Sequence, residues 1–161
     1  GSEMCIRDSL LRDDIETIHA ATDLLAEAKL SPELRNEALY YRAKAYTKQK
    51  ADKKAMEDYR ELAKDTRNPY GAEAKYQVAQ SLYDAKEYAA AEKELLNYIE
   101  QSTPHAYWLA RSFVLLSDVY HATGKDLDAR QYLLSLQQNY QGNDDIESMI
   151  ESRLSKLKVE N

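Results

Sequence analysis

Small and large apolar residues recur along this chain in a fixed order. Ala43, Tyr46, Ala55, Tyr59 and Leu62 are separated by gaps of 3, 9, 4 and 3, and Ala79, Leu82, Ala91, Leu95 and Tyr98 repeat those gaps. Ser117, Tyr120, Ala129, Leu133 and Leu136 repeat them again, so the copies lie 36 and then 38 residues apart. Gaps of 3 and 4 put side chains on one face of a helix, whereas a gap of 9 must contain a turn. Each copy therefore reads as two amphipathic helices, A and B. The small residues let A and B approach closely, and Tyr59, Leu95 and Leu133 fill space between helix pairs. The first two copies also share Glu-Ala-x-Tyr-x-x-Ala, at Glu37–Ala43 and Glu73–Ala79.

The pattern predicts eight helices: a lone one at 13–29, A1 33–49, B1 52–65, A2 70–85, B2 88–101, A3 105–122, B3 126–139 and a last one at 144–158. Ser31-Pro32 and Thr103-Pro104 offer a hydroxyl cap followed by proline at the first helical position, where its missing N–H costs nothing. Gly124 and Gly142 are placed to close A3 and B3 in a left-handed conformation. Lys50 and Lys86 stand where Gly124 does in the other two A-to-B turns, which makes those turns less stable if they share its conformation. Ala21, Leu25 and Ala28 repeat the B-helix gaps 34 residues before Ala55, so the first helix reads as a B helix without its A partner. Ile146, Met149, Ile150, Leu154 and Leu157 share one face of the last helix, with Asn143 or Asp144 as its cap, and that helix is expected to cap the stack.

On these residues the chain resembles the tetratricopeptide repeat (TPR) family across about residues 13–158. Its repeats fall at about 36–69, 72–105 and 110–143, within a single domain of residues 10–161. YGAEAKYQVAQ at Tyr70–Gln80 and STPHAYWLARSF at Ser102–Phe113 are most similar to the C-terminal part of long bacterial, envelope-associated TPR proteins. The usual tryptophan of helix A is replaced by Leu39, Lys75 and Phe113, and the 38-residue step places two extra residues between B2 and A3. The resemblance implies an all-α fold, a right-handed α-α superhelix of about three helix pairs with a preceding helix and a C-terminal cap. It also implies a concave groove lined by A helices. The groove positions are Glu37, Tyr40, Lys44, Thr47 and Lys48 in the first repeat, and Glu73, Tyr76, Gln80, Tyr83 and Asp84 in the second. The third repeat contributes Arg111, Val114, Asp118 and His121. The family's clamp for a chaperone's terminal carboxylate needs Lys, Asn and Arg where this chain has Tyr40, Lys44, Tyr76, Gln80, Val114 and Asp118, so that clamp is not expected. By resemblance the location is the cell envelope or periplasm, with the cytoplasm as the alternative.

Composition narrows the function classes. A net charge of −6 argues against general nucleic-acid binding, which draws its affinity from clustered basic residues. The charge is uneven: Arg42 to Arg67 carries nine basic residues against five acidic ones, a run that reads first as a solvated face and second as a site for an acidic partner. Apolar runs such as Phe113–Leu116 fall far short of the roughly 20 residues that span a bilayer, so membrane insertion is not expected. Cys5 is the sole cysteine, which leaves neither a disulfide framework nor a thiolate metal site. Gly1–Ser9 (GSEMCIRDS) departs from the pattern and reads as a cloning or sequencing scar. With the native start in doubt, the lack of a leader there carries no weight.

No phosphate loop, Cys-x-x-Cys or His-Glu-x-x-His is present. His19, His105 and His121 fall in different repeats and read as surface residues, while Asp13-Asp14 and Asp144-Asp145 sit at helix starts, favourable positions for negative charge. No catalytic activity, cofactor or metal is expected. Thirteen tyrosines against one phenylalanine suit both a thin solenoid and a recognition surface, since tyrosine buries a ring and keeps a polar tip. Tyr46, Tyr59, Tyr98 and Tyr120 have the phase of packing residues; Tyr40 and Tyr76 either line the groove beside Lys44 and Lys48 or pack between A helices. Trp108 is expected wedged against B2. The leading expectation is a groove for a protein or peptide with apolar or aromatic anchors and acidic flanks. The alternative is a structural segment, stacked on further repeats of the same parent chain, with no ligand of its own.

Overall fold

The computed structural model describes residues 13–157; the proposed scar at Gly1–Ser9, with Cys5, lies outside them. Among the described residues the fold is all-helical, with eight helices and no strand. These are α1 (Asp14–Leu25), α2 (Pro32–Lys48), α3 (Asp52–Leu62), α4 (Pro69–Asp84), α5 (Tyr88–Glu100), α6 (Ala106–Ala122), α7 (Asp126–Asn139) and α8 (Ile146–Leu154). None of them is long and apolar enough to cross a membrane. The chain divides into two compact units, Gly1–Ala74 and Lys75–Asn161, and the division falls within α4.

The repeated positions form the interior. Fourteen of the fifteen are buried and Tyr46 is half-buried, which accounts for the 3, 9, 4, 3 spacing as a packing requirement. In the first unit α2 packs against both α1 and α3, with Ala21, Leu24 and Ala38 buried together and Leu25, Leu30 and Tyr41 against them. The buried residues of α1 are Thr17, Ala21 and Leu24; of the expected set Ala21 is buried, Leu25 is half-buried and Ala28 is not. The helix stops at Leu25, four residues short of its predicted end, and leaves Ala28 exposed in a turn. In the second unit α6 packs against α5, α7 and α8. Ala110, Val114, Leu133, Leu136, Ile146 and Ile150 form a core that Met149, Leu154 and Leu157 extend, so the predicted apolar face of the last helix is engaged. Full burial of a leucine such as Leu133 contributes about 1.5–3 kcal/mol.

The A-to-B turn is built identically three times. Lys50, Lys86 and Gly124 have φ of 58°, 61° and 79°. The following N–H donates back five residues, from Ala51 to the Tyr46 carbonyl (2.8 Å), Glu87 to Leu82 (2.9 Å) and Lys125 to Tyr120 (2.7 Å). Lys50, Lys86 and Gly124 themselves donate to Thr47, Tyr83 and His121. This is the Schellman arrangement, which satisfies carbonyls left open at a helix end. Two of the three copies bear a lysine in a conformation that disfavours a Cβ.

Other boundaries differ from the sequence reading. Ser31 caps α2 as expected, its Oγ accepting from Leu34 N at 3.3 Å. Thr103-Pro104 does not open α6: Thr103 Oγ1 accepts from His105 N (3.3 Å) in a local turn, and the helix begins at Ala106. The two extra residues of the 38-residue step lengthen helix B2 rather than a loop, since α5 has 13 residues where α3 has 11. Gly142 is not a left-handed cap, because α7 ends at Asn139 with Tyr140 extended. Gly142 instead lies under the hydrogen bond from the Tyr140 hydroxyl to Asp144, where a Cβ would collide with both side chains. Asp144 accepts from Ile146 N at 3.0 Å and Asp145 is the residue before α8.

Gly71 has a role the pattern did not predict. Asn68 Oδ1 accepts from Tyr70 N (2.8 Å) at the start of α4, and a Cβ on Gly71 would overlap the backbone carbonyls of Asp65 and Leu62. Only glycine lets α4 begin that close to the end of α3.

Candidate functional site

The groove positions of the first unit are held by internal contacts. Tyr40 donates from its hydroxyl to Glu73 Oε1 (2.8 Å), stacks on Tyr70 at 4.4 Å and meets Tyr41 edge-on at 5.6 Å. Lys44 reaches Glu73 Oε2 at 3.2 Å while its ammonium lies 4.9 Å from the Tyr40 ring centre. Glu73 is therefore a buried carboxylate with a phenol on one oxygen and an ammonium on the other. Burial and, after it, the Glu73 bond hold the Tyr40 hydroxyl well above the usual tyrosine range. Burial likewise pushes Tyr59 up to about 12. Lys48 approaches Asp14 at 3.9 Å, Thr47 Oγ1 donates to the Ala43 carbonyl and Glu37 is buried. The positive flank expected at Lys44 and Lys48 is thus compensated within the unit. Arg42, outside the predicted set, makes a two-pronged pair with buried Asp58, at 2.8 and 2.7 Å. That geometry holds α2 to α3.

In the second unit the same positions divide between core and surface. Val114 is 3% exposed and belongs to the core. Tyr76, at 5%, packs its ring 5.5 Å from Trp108. Trp108 is half-buried, with the rings of Tyr76 from α4 and Tyr107 from α6 against it. Arg111 lies across these rings, its guanidinium 4.8 Å from the Tyr76 centre and 5.9 Å from those of Tyr107 and Trp108. Nη2 donates to the Tyr76 hydroxyl (2.8 Å) and Nη1 to the Tyr107 hydroxyl (3.0 Å). Tyr76 in turn donates to Gln80 (2.9 Å), Gln80 to Asp84 (2.9 Å), and Tyr107 to Asp145 (3.0 Å). Burial raises the Tyr76 hydroxyl and Arg111 works against that rise.

Four predicted positions come together in one cavity of this unit. Gln80 and Tyr83 of α4 and Asp118 and His121 of α6 line a space of about 370 Å³ with Ser117, and Arg153, Lys156 and Leu157 close it from the C-terminal side. Arg153 meets both Asp118 oxygens loosely, at 3.3 and 3.4 Å, and burial outweighs it, raising the Asp118 carboxyl. His121 Nδ1 lies 2.8 Å from Asp126. Sequence reasoning missed Arg153 and Lys156, since a capping helix gave no reason to expect its last turn beside the A helices. Among the described residues no cluster of metal-ligating side chains is present. Compared with protein-family models, curated proteins and solved structures, the chain matches none.

Proposed function

We propose that this chain is a TPR-type protein-interaction module that receives a peptide of a partner protein on the A-helix side of its second unit. The observation that carries this reading is the cavity shared by Gln80, Tyr83, Asp118 and His121: four positions that the resemblance implies for a groove line one concave, polar space with an aromatic wall. Small pockets that seat one side chain are where binding energy concentrates. The threefold Schellman turn supports the TPR reading, because each helix pair then leaves its A helix by the same backbone path.

A second reading applies to the first unit. There Tyr40 and Lys44 satisfy Glu73, and Lys48 faces Asp14, which favours a structural segment of a longer array over a ligand surface.

The test is a binding titration with a partner isolated by pull-down. Tyr83→Ala and His121→Ala, whose side chains do not belong to the core, are expected to weaken binding by roughly 1 kcal/mol or more each, about fivefold. Lys93→Ala, exposed on α5, serves as control. Wild-type affinity in both cavity variants sinks the reading.

A further inference from the structure

Arg111 is half-buried, and among the described residues no carboxylate lies within ion-pair distance of it. Its two hydrogen-bonded partners are neutral phenols whose own protons point elsewhere, to Gln80 and Asp145. Arg42 shows the contrasting solution in the same chain, a guanidinium facing a carboxylate at 2.7 and 2.8 Å. A charge drawn out of water without a counter-charge is costly, and ring faces offset that only in part. Lys156, which lines the cavity, makes no ion pair among the described residues and reaches Asp118 only through space, and Gln80 links the Arg111 cluster to that cavity.

We propose that Arg111 is the anion-receiving group of the peptide site, and that the partner segment is acidic, placing an Asp or Glu side chain on this guanidinium. This rests on the peptide-binding reading above. Two phenols and three ring faces fix the fork before the ligand arrives, so little side-chain freedom is lost on pairing, and a planar guanidinium matches a carboxylate edge to edge. A second acidic residue of the same segment faces Lys156. Acidic side chains are favoured over a chain terminus because two separate cations await them.

Trp108 supplies the probe, being the sole tryptophan and 5.9 Å from Arg111. The full chain is titrated with a capped peptide of alternating Glu and Leu, with its capped Gln–Leu twin, and with the Gln–Leu peptide bearing a free C-terminal carboxylate. The Glu–Leu peptide is expected to change Trp108 emission saturably and to bind about tenfold or more tighter than either other peptide, with the advantage shrinking in high salt. Arg111→Gln removes that advantage and Arg111→Lys restores part of it. The Nε–H resonance of wild-type Arg111 shifts on binding, a readout that does not depend on how well either variant folds. Equal affinity for the capped pair, wild-type binding by Arg111→Gln, or equal binding of the free-carboxylate peptide each overturns the proposal while leaving the groove reading standing. No response to the Glu–Leu peptide overturns it too, and the Tyr83 and His121 titration, which uses no acidic probe, then decides the groove reading alone.

Discussion

The clusters around Glu73 and around Arg111 are built from similar parts to opposite ends. Each gathers tyrosines from more than one segment around a charged side chain at an A-helix position. Around Glu73 the charge is matched: Tyr40 and Lys44 take its two oxygens, and Tyr70 covers the ring. Around Arg111 the described residues supply ring faces and phenol oxygens and no ion-paired carboxylate. A charge that has its counter-charge works as cement, and one that lacks it is poised for a ligand. The repeat places equivalent residues at equivalent positions and still leaves this choice to a neighbour one helix away.

The sharpest way to break the comparison is at the glycines. Gly71→Ala pushes the start of α4 off the Leu62 and Asp65 carbonyls, and with it Tyr70 and Glu73 off Tyr40 and Lys44. The expected loss is about 2–3 kcal/mol, as for overpacking of a close approach. Gly124→Ala meets open space and only an unfavourable φ, so it should cost about 1 kcal/mol. Denaturant titration checks both, and equal losses would mean that the close approach at Gly71 is not real.

Next comes removal of each central charge. Glu73→Ala strands the Tyr40 hydroxyl and the Lys44 ammonium in a half-buried site, and a loss of about 2 kcal/mol is expected. Arg111→Met leaves two phenols that keep Gln80 and Asp145 as partners, so its cost should stay under about 1 kcal/mol. A larger loss at Arg111 than at Glu73 would reverse the assignment of structural and receptive roles.

The smallest effect concerns the turns. Lys50→Gly and Lys86→Gly relieve a left-handed lysine at φ of 58° and 61°, and each should raise stability by about 0.5–1 kcal/mol in thermal or denaturant unfolding. No gain at either position would mean that the lysine side chains supply a compensating contact.

Helix number, order and most boundaries were legible because burial imposes spacing, and spacing survives in the sequence. Ala55, Ala91 and Ala129 could be recognised as close-approach positions for that reason. What escaped depended on groups distant in sequence. Gly71 falls at the start of the expected A2 helix, and nothing in the spacing calls for a glycine there until the carbonyls of Leu62 and Asp65 are beside it. Gly142 suited a cap and serves as clearance beneath a side-chain bridge. At the site, the resemblance could name Tyr40, Tyr76 and Val114 as candidates. It could not tell that Val114 is sealed into the core, that Tyr76 carries Arg111, or that Arg153 and Lys156 close the cavity, because each of those depends on what another helix brings.

The three matching turns also make the chain divisible. Lys50 and Lys86 occupy the same point of the same hydrogen-bonded loop, so joining Lys50 directly to Glu87 rebuilds a bend from two halves that already exist. Helix A1 then runs into B2, and the 3, 9, 4, 3 spacing continues from Ala43 and Tyr46 to Ala91, Leu95 and Tyr98. Length can therefore change by excision or duplication of a whole repeat at a lysine or glycine hinge, with no new loop to invent at the seam.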